Sequence, residues 1–144
     1  MRLAIEQAKK VPTAPFGAVI VDSRSSKVLA EGYNRSIDSP TFHGEVDVIN
    51  RLAASPERPE DWSPLVLYTT AEPCPMCQSA IAWAGIGSTV FGSSIPFLQD
   101  LGWSQIDIRA AQVIHRTPFI QISLLGGVLE DECNELFLAV STSK

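Results

Sequence analysis

Short apolar runs alternate along this chain with segments whose apolar residues recur every three or four positions. Arg2 to Lys10 (RLAIEQAKK) sets Leu3, Ile5 and Ala8 at helical spacing and predicts a short amphipathic helix, ended by Pro12 and Pro15. Phe16 to Asp22 (FGAVIVD) and Lys27 to Asn34 (KVLAEGYN) read as two strands joined by the turn SRSS, a hairpin. After the loop RSIDSPT, Val46, Ile49, Leu52 and Ala53 recur at helical spacing, so a helix should begin near His43. The proline-broken PERPEDWSP is a surface loop. Leu65 to Thr70 (LVLYTT) is a continuous apolar strand of the kind buried on both faces.

The second half continues the alternation. PCPMCQSAIAWAG predicts a helix that starts at the cysteines, with a proline in its first turn and Gly85 as its stop. STVFGSS is a strand and IPFLQDLGW a loop or short turn. Ser104 to Ile114 (SQIDIRAAQVI) reads as a helix capped by Ser104, FIQISLL as a fifth strand, and VLEDECNELFLAV as a closing helix. Strands alternating with helices imply an α/β protein, a three-layer α/β/α sandwich around a five-stranded mixed sheet. The hairpin is antiparallel. Helical crossovers should make the later strands parallel, including the last two, joined through the Ser104 helix. No repeat, low-complexity tract or linker divides residues 1–144, so the expectation is a single domain.

Composition narrows the partners. Hydrophobic residues at 45% and charged residues at 19% describe a globular chain. A net charge of −5 argues against a phosphate-binding surface. Among the 11 basic residues only Lys9 and Lys10 are adjacent, and after Arg116 the only cation is Lys144. tRNA is thereby disfavoured as a partner without being excluded. No apolar run approaches the roughly 18 residues of a membrane span, and the N-terminus lacks the apolar stretch of a signal peptide. The three cysteines are too few for a disulfide framework, so a reduced, cytoplasmic setting is expected.

The chemistry gathers at EPCPMC, Glu72 to Cys77. Cys74 and Cys77 lie three apart on one face of a helix start, where unpaired N–H groups favour thiolates. The spacing alone fits a redox pair, a structural zinc or a catalytic zinc. Of the two histidines, His43 opens another helix and would complete a Cys₂His set with one position left open, the mark of a catalytic site. His115 ends a predicted helix and reads as a C-terminal cation. Glu45, two residues after His43, cannot share its direction within the helix. It is instead placed to take a proton from water and pass it to a leaving amine. Cys133 reads as a small buried hydrophobe.

HGE (His43 to Glu45) with PCPMC (Pro73 to Cys77) resembles the cytidine and nucleobase deaminase superfamily. The likeness extends to PFGAVIVD, EGYNR and LYTTAEPCPMCQSAIAWAG, most of residues 12 to 95. It implies a cytidine deaminase-like fold, one zinc ion per chain on His43, Cys74 and Cys77, and hydrolytic deamination with Glu45 shuttling protons. It also implies substrate contacts from Asn34 and from the backbone at Ala71 and Glu72. Trp83 matches an aromatic beside the pocket of nucleobase-type members, although helical spacing alone would put it in the core. Phe97 and Trp103 flank QDLG as candidates to close the pocket, and Asp100 and Asp107 as candidates to read an amine or ring N–H.

Within the family, PFGAVIV and Trp83 look like guanine deaminases, and HGE looks like fungal cytosine deaminases. The expected substrate is therefore a free nucleobase or small aminated heterocycle. GGVLEDECNELF looks like the ending of tRNA adenosine deaminases, which supplies the second reading. A third is an inactive zinc-stabilised partner module, which would have no need of Glu45. Resemblance further implies a homodimer built on the helices after the third and fourth strands.

Overall fold

The computed structural model describes residues 1–142; Lys144 lies outside them. In chain order the elements are α1 (Arg2–Ala8), β1 (Gly17–Asp22), β2 (Val28–Tyr33), α2 (Gly44–Ala54), β3 (Leu65–Ala71), α3 (Pro75–Ala84), β4 (Ser88–Ser93), α4 (Ile95–Asp100), α5 (Ala110–His115), β5 (Ser123–Leu125) and α6 (Glu130–Thr142). The strands form one five-stranded sheet in the order β2-β1-β3-β4-β5. β1 is antiparallel to both β2 and β3, whereas β3, β4 and β5 run parallel.

Strand periodicity assigns the faces. Ala18, Ile20, Leu65 and Leu67 pack with Val48 and Leu52 of α2 and with Ile81 and Ala82 of α3, forming the larger core. On the opposite face, a Cβ at Gly17 would meet the Ala4 carbonyl and Ala8 of α1, and one at Gly92 would meet Cys133 of α6. Cys133 is fully buried there, as the small hydrophobe the sequence suggested. A smaller cluster of Ala71, Leu98 and Phe137 gathers Phe16, Phe97 and Trp103 around it at the C-terminal end of β3.

Three sequence expectations are corrected. IPFLQDLGW is not simply a loop: Ile95–Asp100 is a helix, because Ser94 caps it, accepting from the Phe97 N–H at 3.2 Å, and Pro96 fits its first turn. The helix expected from Ser104 is confined to Ala110–His115; Ser104 caps nothing, and the backbone before Arg109 is irregular. Arg109 and Gln112 form the cap instead, the Arg109 N–H donating to Gln112 Oε1 at 2.7 Å. FIQISLL yields strand only at Ser123–Leu125, where it pairs with Ser88–Val90 as the sheet edge. The shortened α5 still makes the crossover that keeps β4 and β5 parallel.

Candidate active site

Two helix starts meet at the C-terminal end of β3. His43 is the N-cap of α2 and Cys74 the N-cap of α3, both in extended backbone conformation, and neither side chain is used for capping. The imidazole and the thiol are thus free to turn toward each other. Cys74 Sγ lies 3.7 Å and Cys77 Sγ 3.6 Å from His43 Nδ1, and all three ligand atoms fall within 4.8 Å of one another. In a tetrahedral zinc site the usual Zn–S and Zn–N lengths put sulfur and nitrogen about 3.6 Å apart. The donor set therefore fits zinc in both chemistry and spacing. Cys77 is buried, while His43 and Cys74 are half-buried, so the triangle has an open side.

Electrostatics couple the three groups, and Cys74 is the one held as a thiolate. The Cys77 thiol donates to Cys74, and together with His43 this holds Cys74 down at about 4 against the opposing effect of burial. Cys77 is pushed well above the usual thiol range, first as that donor and then by burial. His43 is raised, chiefly by its bond to Cys74.

Glu45 follows on the first turn of α2 and is only 4% exposed. Its Oε1 accepts from Thr69 Oγ1 at 3.1 Å, which ties it to β3. Burial, and next the negative sulfur of Cys74, raise its carboxyl above the usual range. The HGE spelling has a steric cause: a Cβ at Gly44 would sit 2.8 Å from the Phe16 carbonyl, so glycine lets α2 close against the entry to β1.

The other candidates divide. Asn34 follows β2 and is half-buried; its N–H donates to the Phe16 carbonyl and its Oδ1 accepts from the Ser36 N–H at 2.8 Å. That bond makes it a turn former beside Phe16. Ala71 is buried at the end of β3. Glu72 is 3% exposed, and its N–H is already donated to the Ser93 carbonyl at 2.7 Å. Phe97 and Trp103 pack into the Ala71 cluster, with Trp103 edge-on to Phe16 at 5.3 Å. Asp100 and Asp107 are exposed, and Asp107 accepts from Gln99 at 3.4 Å.

Trp83 is neither core nor beside the metal triangle of its own chain. It is 78% exposed, stacked on Phe119 at 4.7 Å, and nine residues beyond Cys74, roughly 13 Å along the helix.

Sequence reading missed Thr69, Asp47 and Arg109. Asp47 is 2% exposed and accepts from the Tyr33 N–H, Arg35 and Arg51, locking the end of β2 to α2. Its spacing to Arg51, four residues on, was the available signal. Nothing local marks Thr69.

Comparison with known proteins bears on these residues together. Residues 1–93 match the model of the cytidine and deoxycytidylate deaminase zinc-binding region. A guanine deaminase of Bacillus subtilis is 34% identical over 85% of this chain and 80% of its own. A tRNA-specific adenosine deaminase of Haemophilus influenzae is 31% identical over 94% and 77%. A probable cytosine deaminase of Schizosaccharomyces pombe is 33% identical over 62% of this chain, which spans about half (53%) of that relative. Among solved structures, one from studies of A-to-I editing by tRNA:A34 deaminases superposes with a TM-score of 0.75 at 28% identity, covering 94% of this chain and 96% of that one.

Proposed function

The chain belongs to the cytidine and deoxycytidylate deaminase zinc-binding family, and we propose that within it this protein hydrolytically deaminates a free nucleobase or small aminated heterocycle. The observation that carries the catalytic part is Glu45: a carboxyl buried to 4% exposure beside a His–Cys–Cys triangle spaced for zinc. Bound zinc would supply Lewis acidity at His43, Cys74 and Cys77. The chain does the rest. Thr69 fixes one oxygen of Glu45 against β3, and burial sets the carboxyl beside the metal triangle. A carboxyl raised by burial accepts a proton from attacking water and returns it to the departing nitrogen. A C–O bond forms at the amine-bearing ring carbon, the C–N bond breaks, and ammonia leaves.

Charge pairing supports a small substrate. Arg2, Lys9, Arg24, Lys27, Arg35, Arg51 and Arg109 all engage acids. A nucleic-acid backbone would have to displace those acids from a chain of net charge −5. The second reading, a tRNA adenosine deaminase, is favoured by the Haemophilus influenzae relative, whose likeness spans 94% of the chain. Ammonia release from guanine, cytosine, isocytosine, adenine, their nucleosides and a tRNA anticodon stem-loop separates the two. Turnover of one free base is expected, and turnover of the stem-loop alone would replace this reading with the second.

A homodimer is part of the proposal. Pro75, Ser79 and Trp83 form a stripe on α3, next to Ile108, Val113 and the exposed Phe119. This face, which also carries Gln112, Arg116 and Thr117, begins one residue from Cys74, so a second copy seated on it would border the first copy's site.

A further inference from the structure

We propose that Glu72 is a positioning residue: its carboxylate clasps both ends of the excursion formed by residues 95–110 and holds Phe97 and Trp103, as an aromatic wall beside the metal triangle, against the segment that delivers Cys74. The inference rests on the deaminase reading for what the pocket does, and on geometry alone for the clasp.

Glu72 sits between the end of β3 and Pro73–Cys74, with 3% of its surface exposed. Its carboxylate accepts from the Ile95 N–H at 2.9 Å and from the Ala110 N–H at 3.0 Å. Arg109 Nε reaches both of its oxygens at 2.9 Å. Ile95 is the first residue of α4 and Ala110 the first of α5, so one side chain closes the whole excursion at its base. The Glu72 N–H, donated to the Ser93 carbonyl, binds the same strand end to β4. Only a carboxylate can accept from two backbone N–H groups and a guanidinium together. A glutamine would turn its own NH₂ group toward at least one of those donors.

The excursion carries Phe97 and Trp103. Trp103 packs edge-on against Phe16 at 5.3 Å and against Phe137 at 5.8 Å, and Phe97 joins the cluster around Ala71. The Phe16 carbonyl abuts Gly44, between His43 and Glu45. The wall therefore touches the catalytic helix through Phe16 and the cysteine segment through Ala71 and Glu72. The clasp sets its distance from both. Arg109 is half-exposed and covers the carboxylate from outside.

The test compares zinc-loaded wild type, Glu72→Gln and Arg109→Ala by metal content, steady-state kinetics and amide hydrogen exchange. In Glu72→Gln, zinc and cooperative unfolding should persist. KM should rise roughly tenfold with a smaller change in kcat, because the lost contribution is placement of the wall. The Ile95 and Ala110 amides should lose protection together, while Leu67 and Phe91 in the sheet keep theirs. Arg109→Ala should move the same readouts less. An unchanged KM with only a smaller active fraction would reduce Glu72 to a structural residue and overturn the proposal. So would independent exchange of Ile95 and Ala110. Should Glu72→Gln not fold, Arg109→Ala and the exchange of wild type decide alone. Should the substrate reading fail, the exchange arm still reports on the clasp, so the two failures are distinguishable.

Discussion

At the scale of single residues, the site depends on side chains left free by the elements that carry them. His43 and Cys74 stand at helix N-caps yet cap nothing, so their ligand atoms meet at 3.7 Å. Glu45 is held by one hydroxyl. Thr69→Val removes that donor and keeps the shape, so zinc content should stay constant while turnover drops about tenfold, the equivalent of one hydrogen bond to a charged group. Steady-state rates on zinc-matched samples check this. Gly44→Ala would press a methyl to 2.8 Å from the Phe16 carbonyl. A loss of about 1–3 kcal/mol of stability is expected in urea denaturation.

At the scale of elements, legibility tracked how local each cause was. The grouping of His43 with Cys74 and Cys77 could be read because their types and spacings declare it, β1 and β3 because their apolar runs are continuous, and β2 from the turn that pairs it with β1. Residues 104–109 misled because Ser104 looks like a cap, whereas α5 starts at Arg109 with Gln112 and is also held by a carboxylate 38 residues before Ala110, that of Glu72. Trp83 misled because helical spacing does not say which side of a helix is covered. Asp47 is the element-scale counterpart of Glu72, joining the Tyr33 N–H of β2 to Arg35 and, within α2, Arg51. Asp47→Ala would strand a part-buried N–H and release two cations, a cost of about 1–3 kcal/mol visible as a lower denaturation midpoint.

At the scale of the molecule, the sheet brings two helix starts to one point, and metal binding should couple to the stability of both. Chelation is expected to lower the melting temperature, and zinc affinity should fall on acidification because protons compete for the same sulfurs. Calorimetry with and without chelator, at neutral and mildly acidic pH, checks both. Trp83→Glu should shift sedimentation from dimer to monomer if the α3 face is the contact between copies. The most direct test of the central claim is zinc content and ammonia release measured on the same samples of wild type and Glu45→Gln. Zinc near one per chain is expected in both, with turnover of one free base in wild type and about 10²–10⁴-fold less in the variant. Equal turnover in the two proteins, or full turnover in protein stripped of zinc, would contradict it.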